Sequence, residues 1–287
     1  MEFVTFHVAL GSDDAVHPNQ TLKHNEYLSM IHMMFASARL FHPGAKAIVL
    51  TDTDTNFAYS ARNVDQVVRC DMDRDKLMLE RAKAQWRYVR NNPFESPIII
   101  LDSDILINAP LFPIFGNEFD IAVTWRESTN MPINGGFLIL NNDRPEIAKR
   151  FFERFTEIYQ DRYADKAAWF GDQLALRDCV GLSLLDMAKY NVVDVNGCRI
   201  LLLPCDTYNY SPMNQYGEIC SDLSEKVVLH FKGERKRLMA PFWRGWLRQR
   251  GSYLPWIRLI GWRERRWLRQ QSEIEERVPE FSEDGEL

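Results

Sequence analysis

The stretch Pro97-Ile-Ile-Ile-Leu-Asp-Ser-Asp-Ile-Leu-Ile107 organises the reading of the whole chain. Four apolar residues precede Asp102 and three follow Asp104, with Pro93, Pro97 and Pro110 as boundaries, so the run reads as a short buried strand bearing two acids at its carboxyl end. In open α/β sheets ligands sit beyond the carboxyl ends of the strands. Residues two apart on an extended chain point to opposite faces, but where the backbone turns at a strand's end both carboxylates can approach one cation. Unpaired carboxylates are costly to bury, and the natural partner for this pair is Mg²⁺ or Mn²⁺ carrying a diphosphate. The same Asp-x-Asp spacing recurs at Asp52/Asp54, Asp71/Asp73 and Asp73/Asp75, where solvated turns are the ordinary reading. Apolar context sets Asp102 and Asp104 apart.

Upstream, residues 3 to 10 read as a first strand and Gly11 to Pro18 as a loop. A helix is expected from about Thr21 to Phe41, on the spacing of Leu22, Leu28, Ile31, Met34, Phe35, Ala38 and Leu40, with His42-Pro43-Gly44 as its stop. Ala47 to Leu50 is a second buried strand ending in Thr51-Asp52, which completes a βαβ unit and implies a parallel sheet with a right-handed crossover. Val64 to Val68 suits a third strand and Asp75 to Asn91 a helix. Strand ends that gather Thr5, His7, Asp52 and the acid pair look like a nucleotide-binding half. Neither a Gly-x-Gly-x-x-Gly after the first strand nor a Walker-type loop is present, so dinucleotide and P-loop readings lack their fingerprints.

Downstream, Asp120 to Trp125 and Gly136 to Leu140 are strand-like, separated by Met131-Pro-Ile-Asn-Gly-Gly136. The paired glycines, with Asn134 just before them, serve either a hairpin turn or a close backbone approach. Arg144 to Tyr163 is helical in pattern, and Trp169 to Leu176 begins another helix in which Asp172 is either an N-terminal cap or a site residue beside Gln173. Val227 to Lys236 is a late strand running into a basic loop. His230 there is either a satisfied core residue or a ligand beside Lys232, Arg235 and Lys236.

A chain of 287 residues, 46% hydrophobic and 12% aromatic, supports a sizeable core. The net charge of -5, from 35 basic and 40 acidic residues, argues against a nucleic-acid binder. Five cysteines without a Cys-x-x-Cys pair suggest neither a disulfide framework nor a zinc site. With no basic leader and no apolar run of the roughly 18 to 20 residues that cross a bilayer, a cytoplasmic location is expected.

Taken together, four signatures resemble the sugar-nucleotide-dependent glycosyltransferases of the GT-A fold, most closely the retaining family of glycogenin and the bacterial lipopolysaccharide galactosyl- and glucosyltransferases. They are Leu101-Asp-Ser-Asp104, Ile133-Asn-Gly-Gly136, Gly171-Asp-Gln173 and His230-Phe-Lys-Gly-Glu-Arg-Lys236, in the family's order. Two departures are visible: Lys236 is followed by Arg237-Leu-Met rather than Pro-Trp, and the first strand lacks an alanine-aspartate ending. The resemblance implies an α/β fold with a Rossmann-like, mostly parallel central sheet and a C-terminal basic, aromatic helical extension. Residues 1–240 would form the catalytic domain, divided into a nucleotide-binding half (1–110) and an acceptor half (111–240), with 241–287 as tail.

It further implies a hexosyltransferase that moves a sugar from a nucleotide-diphosphate donor, in the first place a UDP-sugar, to a glycolipid or polysaccharide acceptor with retention. Asp102, Asp104 and His230 would bind manganese or magnesium, with Ser103 between the acids. Gly233 and Lys236 would hold the β-phosphate, and His7, Val8 and Asp52 the base. Asn134, Asp172 and Gln173 would line the donor-sugar pocket, with Arg81 nearby. A haloacid-dehalogenase-like phosphatase also places Asp-x-Asp after an apolar strand, but nearer the start and with Thr or Val where Leu106 stands. A sugar-nucleotide-binding scaffold without turnover is the non-enzymatic rival.

The tail interleaves Trp243, Trp246, Trp256, Trp262 and Trp267 with arginines and ends in an acidic segment from Glu273 to Glu286. If Pro255 to Gln270 is helical, Trp256, Ile260 and Trp267 share a side, with Arg258, Arg265 and Arg269 roughly opposite. Such a helix suits a membrane interface, giving peripheral contact through residues 243–269 on the inner face of the cytoplasmic membrane. The alternative is that the tryptophans pack on the domain.

Overall fold

Alternation along the apolar runs builds two cores at once. The computed structural model describes residues 1–10, 23–57, 63–166, 170–189, 191–213 and 215–277; the loop expected at 11–18, the start of the first expected helix at Thr21 and Leu22, Trp169, and the acidic end beyond 277 lie outside them. Strand β1 (Glu2–Phe6), β2 (Lys46–Thr51) and β4 (Ile98–Leu101) send Phe3, Val49 and Ile99 to one face and Val4, Ile48, Leu50 and Ile100 to the other. A strand buried on both faces is largely apolar, which is why β2 and β4 read as continuous runs at residues 47–50 and at Ile98–Leu101 rather than as alternating ones.

Helix α1 (His24–Phe41) covers the first face with Leu28, Ile31, Met34, Phe35 and Ala38, the three- and four-residue spacing of a buried stripe. Helices α2 (Leu77–Asn91) and α3 (Pro145–Arg162) cover the second, and Pro145 stands at the first turn of α3, where a missing N–H costs nothing. Helix α4 (Gly171–Val180) packs beside them, followed by the short α5 (Leu184–Lys189). With β3 (Gln66–Arg69), β6 (Ile121–Trp125), β7 (Ile133–Leu140), β8 (Val192–Val195) and β9 (Cys198–Pro204) the sheet has eight strands in the order β3-β2-β1-β4-β7-β6-β9-β8. Four pairings are parallel and three antiparallel, so the sheet is mixed with a parallel majority.

The central stretch is not one strand. Its backbone turns at Asp102–Asp104, and β5 (Ile105–Ile107) leaves the main sheet to pair antiparallel with β10 (Val228–His230). The two acids sit at that break. The first strand also stops at Phe6, earlier than expected, although the His7 N–H still donates to the Leu50 carbonyl (3.0 Å). Gly135 and Gly136, for which a hairpin turn was one reading, lie inside β7.

The one-turn helix α6 (Cys205–Tyr208) precedes β10, and α7 (Lys236–Phe242) runs through a π-helical turn (Trp243–Leu247) into α8 (Arg248–Arg250), then α9 (Pro255–Arg277). This tail is docked on the domain. Leu247 and Leu268 are fully buried, the Trp246 indole N–H donates to the Ile219 carbonyl (2.9 Å), and Arg250 donates to the Asn108 carbonyl (2.7 Å). The helix expected from 255 forms and extends further. Arg265 turns inward, donating to the Gly245 carbonyl (2.6 Å) and lying over Trp246, instead of facing solvent with Arg258 and Arg269. All five cysteines are free thiols.

Candidate active site

Where β4 ends, three ligand-type side chains converge. One atom each from Asp102, Asp104 and His230 lies within 4.8 Å of the others, a spacing that suits one divalent cation. The His230 Nε2 stands 3.1 Å from Asp104 Oδ1 and 3.6 Å from Asp102 Oδ2. Lys236 reaches Asp104 Oδ2 at 3.2 Å. Burial alone would raise the Asp104 carboxyl, but the charges and hydrogen bonds of His230 and Lys236 prevail and hold it well below the usual carboxylate range.

The backbone is shaped for this convergence. Opposite β6 the β7 register jumps, so that Val123 pairs with Leu138 but Thr124 pairs with Asn134. The extra residues bulge toward the acids, as bulges beside sites commonly do. At Gly136 an added Cβ would stand 2.5 Å from His230 Cε1 and 2.9 Å from Asp102 Oδ2, so only glycine lets β7 pass this close. The Gly136 carbonyl in turn accepts from the Asp102 N–H (2.9 Å) and fixes the turn.

Arg81, on the inner side of α2, forks between Asp102 (2.7 Å) and Asp172 (2.6 Å) and ties α4 to the acid pair. Asp172 is not a cap: Phe170 occupies the cap position and Asp172 lies within the first turn of α4. Its carboxyl is pushed up by burial, against the opposing pull of Arg81. Asp172 Oδ1 and Gln173 Oε1 are buried acceptors without a partner among the described residues. Buried orphans of this kind call for a donor, and hydroxyl groups supply one.

These groups line one cavity of about 680 Å³. Of the residues expected to form the site, His7, Val8, Arg81, Asp102, Ser103, Asp104, Asn134, Asp172, Gln173, His230, Gly233 and Lys236 all line it. Asp52 does not. Its carboxylate is taken by Arg74 (2.5 Å) and the Thr55 N–H (2.8 Å), so it secures the turn after β2. Burial pushes His7 down to about 3 and keeps it neutral; its ring lies near those of His24 and Tyr27, with centroids 5.2 and 5.3 Å away, and its Nε2 lies 3.1 Å from His24 Nδ1.

Several participants escaped the sequence reading. Lys232, expected with the basic loop after His230, lines the cavity, but so do His24, Tyr27 and Arg126, and Thr124 and Asn209 lie behind it, bonded to Asn134 and to each other; these five were not expected there. No motif marks them. Asn209 lies between Tyr208 and Tyr210, a setting that carries no signal of its own.

Among solved structures, the glycosyltransferase GlyE of Streptococcus pneumoniae TIGR4 aligns over 93% of this chain and 64% of its own, at 13% identity and a TM-score of 0.52. The fold is that of the GT-A glycosyltransferases. This chain therefore spans less than two thirds of GlyE. The galactosyltransferase LgtC, solved with donor and acceptor sugar analogues, aligns over 91% of this chain and 100% of its own at 11% identity and a TM-score of 0.48. No family model matches the chain, and no curated protein matches it. In the GT-A arrangement seen here the acid pair sits at the carboxyl edge of the parallel strands, at the junction where β7 reverses direction.

The donor set fits the cation that the resemblance implies. Two carboxylate oxygens and an imidazole nitrogen are a hard-to-borderline set suited to Mn²⁺ or Mg²⁺, and Gly136 leaves the space around them open.

Proposed function

We propose that this chain is a metal-dependent glycosyltransferase that takes a sugar from a nucleotide-diphosphate donor, in the first place a UDP-sugar, and passes it to a glycolipid or polysaccharide acceptor with retention. The observation that carries the reading is the meeting of Asp102, Asp104 and His230 with Lys236 in one cavity at the carboxyl edge of a GT-A sheet. Asp102, Asp104 and His230 would hold the Mn²⁺ or Mg²⁺, which when bound supplies Lewis-acid stabilisation of the charge on the departing diphosphate.

Lys236 neutralises the β-phosphate as a mobile point charge, and Gly233, at φ +57°, gives the loop before it the turn that brings backbone toward the phosphate. Arg81 keeps Asp102 and Asp172 at fixed positions. The orphaned acceptors of Asp172 and Gln173, with the amide of Asn134, receive and orient the donor-sugar hydroxyls, and the same acceptors face the positive charge that develops on the sugar ring. His7 and Val8 form the wall that meets the base, within a nucleotide-binding half of residues 1–110; residues 111–240 supply the acceptor half. A cavity near 680 Å³ accommodates a ligand of nucleotide-sugar size.

The tail supports an acceptor presented at a membrane, on the inner face of the cytoplasmic membrane. Outward on α9 stand Trp256, Leu259, Trp262 and Trp267 among Arg258, Arg263, Arg266 and Arg269, an amphipathic surface suited to anionic headgroups. Among the described residues no helix is long and apolar enough to cross a membrane.

A panel of nucleotide sugars with and without Mn²⁺, followed by thermal midpoint and donor hydrolysis, tests the proposal. One nucleotide diphosphate should raise the midpoint only with metal present, and Asp104→Ala should abolish the rise. A panel in which no nucleotide shifts the midpoint removes the chemical basis of the reading, and stabilisation without turnover leaves a binding scaffold.

A further inference from the structure

Behind the candidate metal ligands runs a hydrogen-bond chain whose direction is fixed at one end by backbone. The Gly136 N–H donates to Asn134 Oδ1 (3.0 Å), so the oxygen of the Asn134 amide faces inward. The Thr124 hydroxyl donates to the Asn134 carbonyl (2.9 Å), which leaves Thr124 Oγ1 as an acceptor. Asn209 presents one end of its amide to both acceptors, at 2.8 Å from Asn134 Oδ1 and 2.8 Å from Thr124 Oγ1. Only an NH₂ group satisfies two acceptors at once, so that end is Nδ2. The other end, Oδ1, lies 2.7 Å from His230 Nδ1 and can only accept. His230 must therefore carry hydrogen on Nδ1, which makes Nε2, the nitrogen facing Asp102 and Asp104, the one that would give its electron pair to a bound cation in place of a proton.

Burial and backbone hold this arrangement. Asn209 is 2% exposed. The His230 N–H donates to the Tyr210 carbonyl (2.7 Å) and the Tyr210 N–H to the Val228 carbonyl (2.9 Å), which clips the segment carrying Asn209 alongside β10. A hydrogen bond to the far nitrogen of a ligating histidine sets its tautomer and orientation, and losing such a partner commonly weakens metal binding about 10- to 100-fold.

We infer that Asn209 is a positioning residue that sets the His230 tautomer for metal binding and, through its NH₂, locks Asn134 so that the Asn134 Nδ2 points to the donor sugar. The inference rests on the metal-dependent reading above. One buried amide thus couples the cation to the sugar pocket.

The test uses Mn²⁺ alone, titrated against the full chain and followed by the electron paramagnetic resonance signal of free Mn²⁺. Asn209→Ala should weaken Mn²⁺ binding about 10- to 100-fold. Asn209→Asp still accepts the His230 Nδ1–H but presents an oxygen to Asn134. It should keep Mn²⁺ affinity within about threefold while sugar transfer falls at least about tenfold, with Asn134 set free.

Long-range proton-nitrogen spectra of the native chain with Mg²⁺, with His230 assigned by the loss of its signals in His230→Gln, should show hydrogen on Nδ1. That measurement needs no folded Asn209 variant. Hydrogen on Nε2, or unchanged Mn²⁺ affinity in Asn209→Ala, would overturn this inference alone. Absence of Mn²⁺ binding by the native chain would overturn the metal reading and this inference with it.

Discussion

Asp104 and Asp120 are the same residue type, both buried, at opposite edges of one sheet. Asp120 stands before β6 and its side chain is 0% exposed; Arg144 and Arg199 grip it through their guanidinium groups, and the Arg199 backbone N–H donates to it at 2.7 Å. Asp104 stands after β4, and its partners are the Lys236 ammonium (3.2 Å) and the His230 imidazole (3.1 Å). Planar forks and a backbone amide make a permanent clamp, whereas an ammonium on a flexible stem and an imidazole are groups that a cation or a phosphate can recruit. Burial alone therefore does not distinguish a structural carboxylate from a candidate metal ligand. The replaceability of its partners does.

The largest effect should separate the two edges. Asp104→Ala is expected to lower sugar transfer about 1000-fold or more while the metal-free fold survives, measured as kcat/KM beside a circular-dichroism melt. A variant that unfolds without losing specific activity in its folded fraction would place Asp104 with Asp120. Next in size is Gly136→Ala, whose new Cβ collides with His230 Cε1; moving that ring should cost about 10- to 100-fold in Mn²⁺ affinity, read by titration.

Asp120→Ala should do the converse. It strands the Arg199 N–H and loses the clamp, so a stability loss of about 1 to 3 kcal/mol is expected in urea unfolding. The metal-dependent midpoint shift should persist.

Acid exposes the same contrast. Asp52, Asp104 and Asp120 all titrate below their ordinary range, because hydrogen bonds and paired cations outweigh the burial that would raise them. A carboxylate depressed in the folded state contributes stability that is complete above its unfolded value, about 4, and is lost as pH falls through the lower folded value. Asp172 is raised and acts with the opposite sign, so it offsets part of the loss. Metal-free unfolding midpoints should therefore fall below about pH 4, and less steeply in Asp120→Asn. An unaltered acid limb in that variant would show that the clamp carries no linkage.

What the sequence made legible follows the same division. Strands buried on both faces announce themselves as Ile98 to Leu101 and Ala47 to Leu50, and the helices as spaced apolar residues, because burial imposes the pattern directly. The candidate ligands that break apolar runs, Asp102, Asp104 and His230, stand out for the same reason, and the fold brings them together. Four things were not legible. The departure of β5 into a second sheet depends on β10, more than a hundred residues later. The clamp on Asp52 depends on Arg74 lying across a turn, and the role of Gly136 on a register jump that no local signal encodes. Asn209 interrupts no pattern, since its work is to face His230 across chain segments that only folding brings together.

The smallest expected effect lies on the tail, where the sequence left two alternatives and the structure divides them by face. Ile257, Gly261, Arg265 and Leu268 turn inward, while Trp256 and Trp262 are each about half exposed, 50% and 51%, with Arg248 and Arg266 over their rings. Packing therefore accounts for one face of α9 and leaves the other to be explained. Replacing Trp256 and Trp262 together by Ser removes apolar area that the domain core does not use, so the melting midpoint should move by no more than about 2 °C. Turnover on a water-soluble acceptor should stay within about twofold, because the cavity lies elsewhere. Binding to vesicles rich in anionic lipid should weaken about tenfold, and native binding should fall with added salt as the arginine contribution is screened. If the double variant binds such vesicles as the native chain does, the outward tryptophans are surface residues like any others, and membrane contact must be sought elsewhere on the molecule.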